Sequence, residues 1–150
     1  MILQEEITIN APLSRVWQVF VNIEAWREWN TVCHDCCFVA GQEIVPGACV
    51  AFTLKPYYLP IKIEPRVTKC EAYREVVWEG QRFGVHAVHR FAFAEENGQV
   101  VLRSIEEFGG PLLCLARLLG VHRRLQRLSR QLLEDIKRAA ECLEGDQIGK

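Results

Sequence analysis

The sequence predicts an α+β domain in which a seven-stranded antiparallel sheet packs against one long C-terminal helix, with two short helices near the N-terminus. Two patterns predict this fold class. Residues 34–108 consist of short alternating segments joined by brief turns, which is typical of an antiparallel meander. Residues 111–143 instead repeat apolar side chains at steps of three or four, which is typical of an amphipathic helix.

The size and composition of the chain indicate one globular domain. We expect residues 1–144 of the 150 to form it, followed by a disordered tail at 145–150. The net charge of -1 gives no reason to expect nucleic acid as a partner. No apolar run approaches the roughly 20 residues of a membrane span, and no signal peptide is visible. The seven cysteines are then expected to be reduced thiols of a cytoplasmic protein.

The predicted elements begin with a strand at Leu3–Ile9, where apolar and polar residues alternate. Pro12 suits the first turn of a helix, and a second short helix is expected at Ile23–Trp29. Six more strands follow, separated by turn signals such as Pro46-Gly47 and Gly80–Gly84. These strands are Asp35–Ala40, Ala48–Lys55, Ile61–Glu71, Arg74–Glu79, Val85–Ala94 and Val100–Phe108.

The long helix is expected over Pro111–Leu143, with a bend or break at Gly120 because glycine destabilises a helix interior. After Gly120 the apolar stripe is narrow and regular, which suits a helix held by the sheet. Before it, the apolar surface broadens. We therefore expect the first part to act as a lid and the second part as a structural clamp.

The dipeptide Asn97-Gly98 predicts a two-residue hairpin turn of type I′ between the last two strands. This turn sets the pairing of the two strands, and the pairs that contain Phe93, Phe91 and His89 lie on the apolar side of the sheet. The facing pairs are Glu96–Gln99, Phe93–Leu102, Phe91–Ser104 and His89–Glu106.

His89 and Glu106 are thereby predicted to meet on an apolar face, where an ionised carboxylate is costly unless it is paired. Such a pair can orient a ligand carbonyl or hydroxyl, or transfer a proton near neutral pH. Alternatively, it is a structural cross-strand pair, or the histidine lies at a solvated rim. His89 and Glu106 are therefore the candidate catalytic residues.

The segment Cys33-His34-Asp35-Cys36-Cys37 offers soft metal ligands. A structural zinc site usually needs a second ligand pair, and neither a second CxxC nor an HxxxH occurs in the chain. On a strand, Cys36 and Cys37 would also point to opposite faces. We expect no metal here, and thiols that are inert or redox-sensitive.

Five motifs spread over almost the whole chain give it a resemblance to a known superfamily. The motifs are Ile9-Asn10-Ala11-Pro12 with Val16-Trp17, Trp26-Arg27-Glu28-Trp29-Asn30, Val77-Trp78-Glu79-Gly80, His89-Arg90-Phe91-Ala92-Phe93 and Glu106-Glu107-Phe108-Gly109-Gly110. With them the chain resembles the START/Bet v 1-like (SRPBCC) superfamily, in its polyketide cyclase/dehydrase-like branch. The resemblance implies a helix-grip fold, in which the curved sheet wraps around the long helix. One departure is Thr31, where the family often has proline.

The resemblance also implies a cavity between sheet and helix that binds or transports a hydrophobic or amphipathic molecule, such as a lipid, a polyketide or an aromatic compound. Alternatively, the same apolar residues have a purely structural role and fill a solid core. Leu128 is expected in the helix wall, and Tyr57 is expected at the mouth. The candidate ligand-binding residues are Phe52, Leu54, Tyr57, Ile61, Ile63, Trp78, His89, Phe91, Phe93, Glu106, Leu118, Val121 and Leu125.

Two further functions stay open. One is a cyclase, dehydratase or isomerase in which His89 and Glu106 handle protons; no nucleotide-binding or serine-nucleophile motif occurs, so we expect no cofactor. The other is a module that contacts a protein or a membrane surface through the arginines of the C-terminal helix. No acid lies between Phe108 and Leu133, a stretch that contains Arg117, Arg123, Arg124, Arg127 and Arg130.

Overall fold

The computed structural model of the protein describes residues 1–142. The predicted helix end at Leu143, the last part of the expected domain and the expected tail at 145–150 lie outside the described residues. The strands are β1 (Ile2–Ile9), β2 (His34–Ala40), β3 (Cys49–Leu54), β4 (Ile61–Ile63), β5 (Arg66–Glu71), β6 (Glu75–Arg82), β7 (Val85–Glu96) and β8 (Gln99–Gly109). The helices are α1 (Leu13–Val21), α2 (Trp26–Trp29), α3 (Leu113–Leu118) and α4 (Val121–Cys142), with a 3₁₀ turn at Ile23–Ala25.

The strands form one antiparallel sheet in the order β1-β8-β7-β6-β5-β3-β2, and the short β4 pairs with β3 beside this path. The sheet curls around α4, so the predicted α+β fold class, a seven-stranded curved sheet with a long C-terminal helix, is confirmed. One predicted strand is wrong in detail. Ile61–Glu71 is two strands, β4 and β5, separated by Glu64 and Pro65. Proline has no N–H for a ladder, which explains the interruption.

The hairpin between β7 and β8 has the predicted register. Its facing pairs run from Glu96 with Gln99 to His89 with Glu106 and beyond. Asn97 and Gly98 have φ angles of 54° and 78°, the positive values that a type I′ turn requires. The turn therefore places the histidine opposite the carboxylate.

One end of the concave sheet face is filled by aromatic rings. Phe20 of α1 lies with its ring centroid 4.7 Å from that of Phe91 and 5.3 Å from that of Phe93. The Trp26 indole N–H donates to the Phe20 carbonyl at 2.9 Å, which satisfies its polar atom inside the core. Each fully buried ring of this kind contributes about 2 kcal/mol of transfer free energy. This end of the domain is a solid core.

The C-terminal helical region is broken at the predicted place. α3 ends at Leu118, α4 begins at Val121, and Gly120 between them has a φ of 73°. A left-handed glycine is the usual way to end a helix and change the chain direction. The apolar stripe of α3 is therefore not continuous with that of α4, and α3 has no buried residue.

The buried carboxylate of Asp135 fixes α4 to the loop after α2. It accepts hydrogen bonds from the Thr31 N–H at 2.8 Å and from the Thr31 hydroxyl at 2.7 Å. Gln131 and Arg138 also donate to it. Thr31 is the residue that departs from the family pattern, and it supplies an N–H donor that proline lacks. None of the helices in the described part of the chain combines the length and apolar character needed to cross a membrane.

Candidate functional site

A cavity of about 290 Å³ lies between α4 and the concave face of the sheet, beyond the aromatic core. It extends to the surface at the turn between β6 and β7, because the exposed Arg82 and Phe83 line it. The predicted ligand-binding residues that line this cavity are Phe52, Leu54, Ile61, Ile63, Trp78, His89, Glu106, Val121 and Leu125, together with Leu128 of the expected helix wall.

Four predicted residues do not line the cavity. Phe91 and Phe93 are on the predicted face, but α1 covers them and they belong to the aromatic core. Leu118 is 83% exposed because the break at Gly120 turns α3 away from the sheet. Tyr57 lies outside as well, with its hydroxyl donating to the Leu119 carbonyl at 3.3 Å.

Several residues that line the cavity were not predicted from the sequence. Val85 and Ala87 line the cavity, and they precede His89 at steps of two on the same strand. Ser129 follows Leu125 by four residues on α4, so the helical period places it on the cavity side. Strand and helix periodicity places these residues on the cavity side. Ala87 and Ser129 are small or polar, however, so they give no hydrophobic signal in the sequence. Cys33 also lines the cavity, and no pattern in the sequence indicates this.

His89 stands at the inner, polar end of the cavity. Its ring stacks on Phe91 with 3.9 Å between centroids, and its Nε2 lies 2.7 Å from the Ser104 hydroxyl oxygen. The Glu106 Oε1 atom is 3.8 Å from the same Nε2. Burial among apolar side chains lowers the pKa of His89 from 6.5 to about 3. The imidazole is therefore neutral at physiological pH.

Glu106 is the acidic partner at this end. Burial raises the pKa of its carboxyl from 4.5 to about 7, and a hydrogen bond with Ser129 partly opposes the rise. The side chains of His89 and Glu106 are 14% and 16% exposed, and both line the cavity, so the cavity is where a ligand meets them. Near neutral pH, Glu106 exists in both its protonated and its ionised form.

Two serine hydroxyls link the histidine to the carboxyl. The buried Ser104 oxygen lies 2.9 Å from the Ser129 oxygen, in addition to its contact with His89. Because a hydroxyl both donates and accepts, the chain has two consistent directions. When Glu106 is ionised, Ser129 donates to it, Ser104 donates to Ser129, and His89 donates from Nε2. When Glu106 is protonated, these hydrogen bonds run the other way: Glu106 donates to Ser129, Ser129 donates to Ser104, and Nε2 of His89 accepts from Ser104.

The loop between β3 and β4 closes the outer part of the cavity against the helices. Its Pro56 lines the cavity, and its Tyr57 ring lies below the Arg124 guanidinium at 5.1 Å from the centroid. With the hydrogen bond from Tyr57 to Leu119, these contacts fasten the loop to the turn between α3 and α4.

The cysteine segment begins in the wall of this site, where Cys33 lines the cavity. Cys33 and Cys36 are buried, and the Cys36 thiol donates to the Cys33 carbonyl at 3.2 Å. Burial raises the pKa of Cys36 to about 12 and that of Cys33 well above its ordinary value. Within residues 1–142, no three His, Cys, Asp or Glu side chains are grouped so that they would hold a metal ion.

The arginines of α4 differ in their surroundings. Arg130 binds Glu5 of β1, with its Nε 3.1 Å from a carboxylate oxygen. Gln126 donates to the same carboxylate at 3.0 Å. Arg123 and Arg127 border a small polar depression next to this pair. Part of the predicted arginine face therefore fastens the helix to the sheet.

Comparisons with known proteins agree with this architecture. A family model described as polyketide cyclase / dehydrase and lipid transport matches residues 2–141. No curated protein sequence matches the chain significantly.

Solved structures resemble the fold at low sequence identity. The Thermus thermophilus protein TTHA0849 is 12% identical with a TM-score of 0.81, covering 95% of this chain and 99% of that one. A START superfamily protein from Mycobacterium smegmatis is 12% identical with a TM-score of 0.77, covering 95% of this chain and 98% of that one. The di-domain ARO/CYC BexL from the BE-7585A biosynthetic pathway is 19% identical with a TM-score of 0.76, covering 94% of this chain and 50% of that one. At these identities the similarity shows the fold.

Proposed function

We propose that this chain, which belongs to the polyketide cyclase/dehydrase and lipid transport family, binds or transports a small hydrophobic or amphipathic molecule in the cavity between the sheet and α4. The observation that supports this proposal is an apolar cavity whose inner end is polar. Leu54, Ile61 and Leu125 line its apolar part, and His89 with Glu106 lines its polar end. Ligand sites commonly combine an apolar wall with a few placed polar groups.

The dimensions of the cavity limit the ligand. Its volume of about 290 Å³ is near the lower end of the range known for ligand sites. A compact polyketide-like or aromatic molecule, or one short acyl chain, fits this space better than a two-chain lipid. The neutral His89 and the weakly acidic Glu106 favour an uncharged hydroxyl or carbonyl as the ligand's polar group, since a ligand anion would meet the ionised carboxylate near neutral pH.

A cavity-filling variant tests this proposal. Ala87 lines the cavity, so Ala87→Phe places a ring inside it. Ala92 lies on the same strand with the opposite side-chain direction, so Ala92→Phe is the matched control. Fluorescence titration with 2-naphthol, and displacement of that probe by decanol, measure binding. We expect Ala87→Phe to weaken both by about tenfold or more, as loss of one buried apolar contact does, with Ala92→Phe unchanged. Equal binding by the two variants, or no binding of either probe, would contradict the proposal.

The hydrogen-bonded chain from His89 to Glu106 favours a second candidate function, a cyclase, dehydratase or isomerase. The pKa of Glu106 at about 7 is matched to proton transfer at neutral pH. The hydroxyl chain through Ser104 and Ser129 lets a change in the protonation of Glu106 reverse the hydrogen bond at His89. If the cavity holds a reactive carbonyl compound, His89→Gln should abolish turnover and leave folding and binding largely intact. Unchanged turnover in that variant would exclude this mechanism.

A further inference from the structure

Seven large apolar side chains are exposed around the entrance of the cavity. They come from three separate segments: the loop between β3 and β4, the turn between β6 and β7, and the region of α3. We call this set the mouth surface, and its members are Tyr58, Leu59, Phe83, Leu112, Leu115, Leu118 and Leu119. Large apolar patches on a soluble domain usually mark an interaction site.

The contacts between the three segments show that the mouth surface is continuous. The hydroxyl of Tyr57 reaches the carbonyl of Leu119, which joins the β3–β4 loop to the end of α3. A Cβ atom placed on Gly84 would lie 3.3 Å from Leu112, so the β6–β7 turn contacts the start of α3. The cavity opens between these segments, because Pro56, Phe83 and Val121 line it.

The charged residues within the three segments of the mouth surface are all basic. Residues 55–63, 80–88 and 108–133 contain no aspartate or glutamate. The same three segments contain the cations Lys55, Lys62, Arg82, Arg117, Arg123, Arg124, Arg127 and Arg130. The whole chain has a net charge of -1, so this positive excess is local. Lys62 is paired with Glu64 and Arg130 with Glu5, so the positive excess lies mainly on the other six cations. An exposed apolar surface bordered by such an excess matches the headgroup boundary of an anionic lipid bilayer.

We propose that the mouth surface docks on an anionic membrane, with its leucines and aromatic rings inserted at the headgroup boundary and its cations among the phosphates. In this orientation the cavity entrance faces the bilayer, so the ligand passes between membrane and cavity without crossing water. α3 has no buried residue, which makes it the element that a bilayer displaces most easily. The docking itself does not depend on the proposed ligand function; only the transfer of ligand rests on it.

Vesicle co-sedimentation tests the apolar part of this surface. The vesicles are phosphatidylcholine with about one third phosphatidylglycerol, the anionic component that the cations require. We expect the variant Leu115→Gln/Leu119→Gln to bind these vesicles at least about tenfold more weakly than the wild type, because two apolar side chains are lost from the interface. Val45→Gln is the matched control, since Val45 is an exposed apolar residue before β3, at the end of that strand away from the mouth. We expect it to bind like the wild type.

The charge part of the surface is tested with Arg117→Gln/Arg123→Gln. The control is Arg66→Gln/Arg74→Gln, because Arg66 is the first residue of β5 and Arg74 precedes β6, both outside the three segments of the mouth surface. Each arginine near an anionic surface changes binding by about fivefold, so the first variant should lose about 25-fold and the control should lose little. Raised salt, or vesicles of phosphatidylcholine alone, should abolish most of the binding.

The outcomes separate docking from ligand binding. No binding of the wild type to anionic vesicles overturns the docking proposal, and so does equal loss in a mouth variant and its control. Capture of a protein partner with no vesicle binding also overturns it. Binding of 2-naphthol in solution by Leu115→Gln/Leu119→Gln measures the cavity separately, and its absence in the wild type would count against the proposed function alone.

Discussion

Replacing Glu106 with glutamine removes a carboxyl whose pKa burial raises from 4.5 to about 7. The folded protein holds this proton more tightly than the unfolded chain, so protonation stabilises the fold. That contribution is fully present below about pH 4.5 and is lost as the pH rises through about 7. The gap between the two pKa values corresponds to about 3 kcal/mol. About 2 kcal/mol of it remains at about pH 5.5, and almost none at about pH 8.5.

Urea unfolding of the wild type and of Glu106→Gln at about pH 5.5 and about pH 8.5 measures this contribution. Glutamine keeps the shape of the side chain and cannot ionise. We expect the free energy of unfolding of Glu106→Gln, relative to the wild type, to increase by about 2 kcal/mol from the lower to the higher pH. All other titrating groups cancel in this comparison. A difference that does not change with pH would refute the raised pKa and the polar cavity end built on it.

His89→Gln is the internal control because its effect has the opposite sign. Burial lowers the pKa of His89 from 6.5 to about 3, so its contribution to stability is present above about pH 6.5 and is lost as the pH falls toward 3. Relative to His89→Gln, the wild type should therefore gain about 1 kcal/mol between about pH 5.5 and about pH 8.5. Equal signs for the two variants would contradict the opposite pKa shifts of the two side chains.

Two further predictions concern other parts of the domain. Asp135→Ala should lower the free energy of unfolding by about 3 kcal/mol, because it leaves the donors of Thr31 without their buried partner; urea unfolding measures this, and the exposed neighbour Glu134→Ala should change it by less than about 0.5 kcal/mol. In the folded protein at neutral pH, iodoacetamide should modify the exposed Cys114 and Cys142 while Cys33 and Cys36 stay intact, since both are buried and hold their protons. Peptide mass mapping reads the result, and fast modification of Cys33 would contradict it.

The parts of the fold that follow from local rules could be predicted. The Asn97-Gly98 turn has one favoured geometry, so the register that places His89 opposite Glu106 followed from two residues. The helix break at Gly120 followed from the cost of glycine in a helix. The division of Ile61–Glu71 was missed because its apolar alternation continues across Pro65, and the pattern weighed more than the single proline.

The site was harder to predict because a cavity forms only where no side chain fills the space between the sheet and the helices. Phe91 and His89 share a face of one strand, yet α1 covers only the first. No local sequence pattern predicts how far α1 extends over the sheet. Ser129 was missed since its role depends on its contact with Ser104 of β8, 25 positions away in the sequence. Side chains that act through distant partners give no signal in local periodicity.

The position of the cavity follows from the sizes of the residues on the concave face and from the break in the C-terminal helix. Where α1 meets the sheet, Phe20 and Phe91 fill the space between the layers. Farther along β6 and β7, the corresponding positions are Gly80 and Ala87, and both line the cavity. A continuous helix through Gly120 would keep Leu118 in phase with the apolar stripe of α4, but the left-handed glycine turns α3 aside. Leu118 is exposed at the entrance instead, so the same break leaves this end of the cavity open and contributes to the mouth surface.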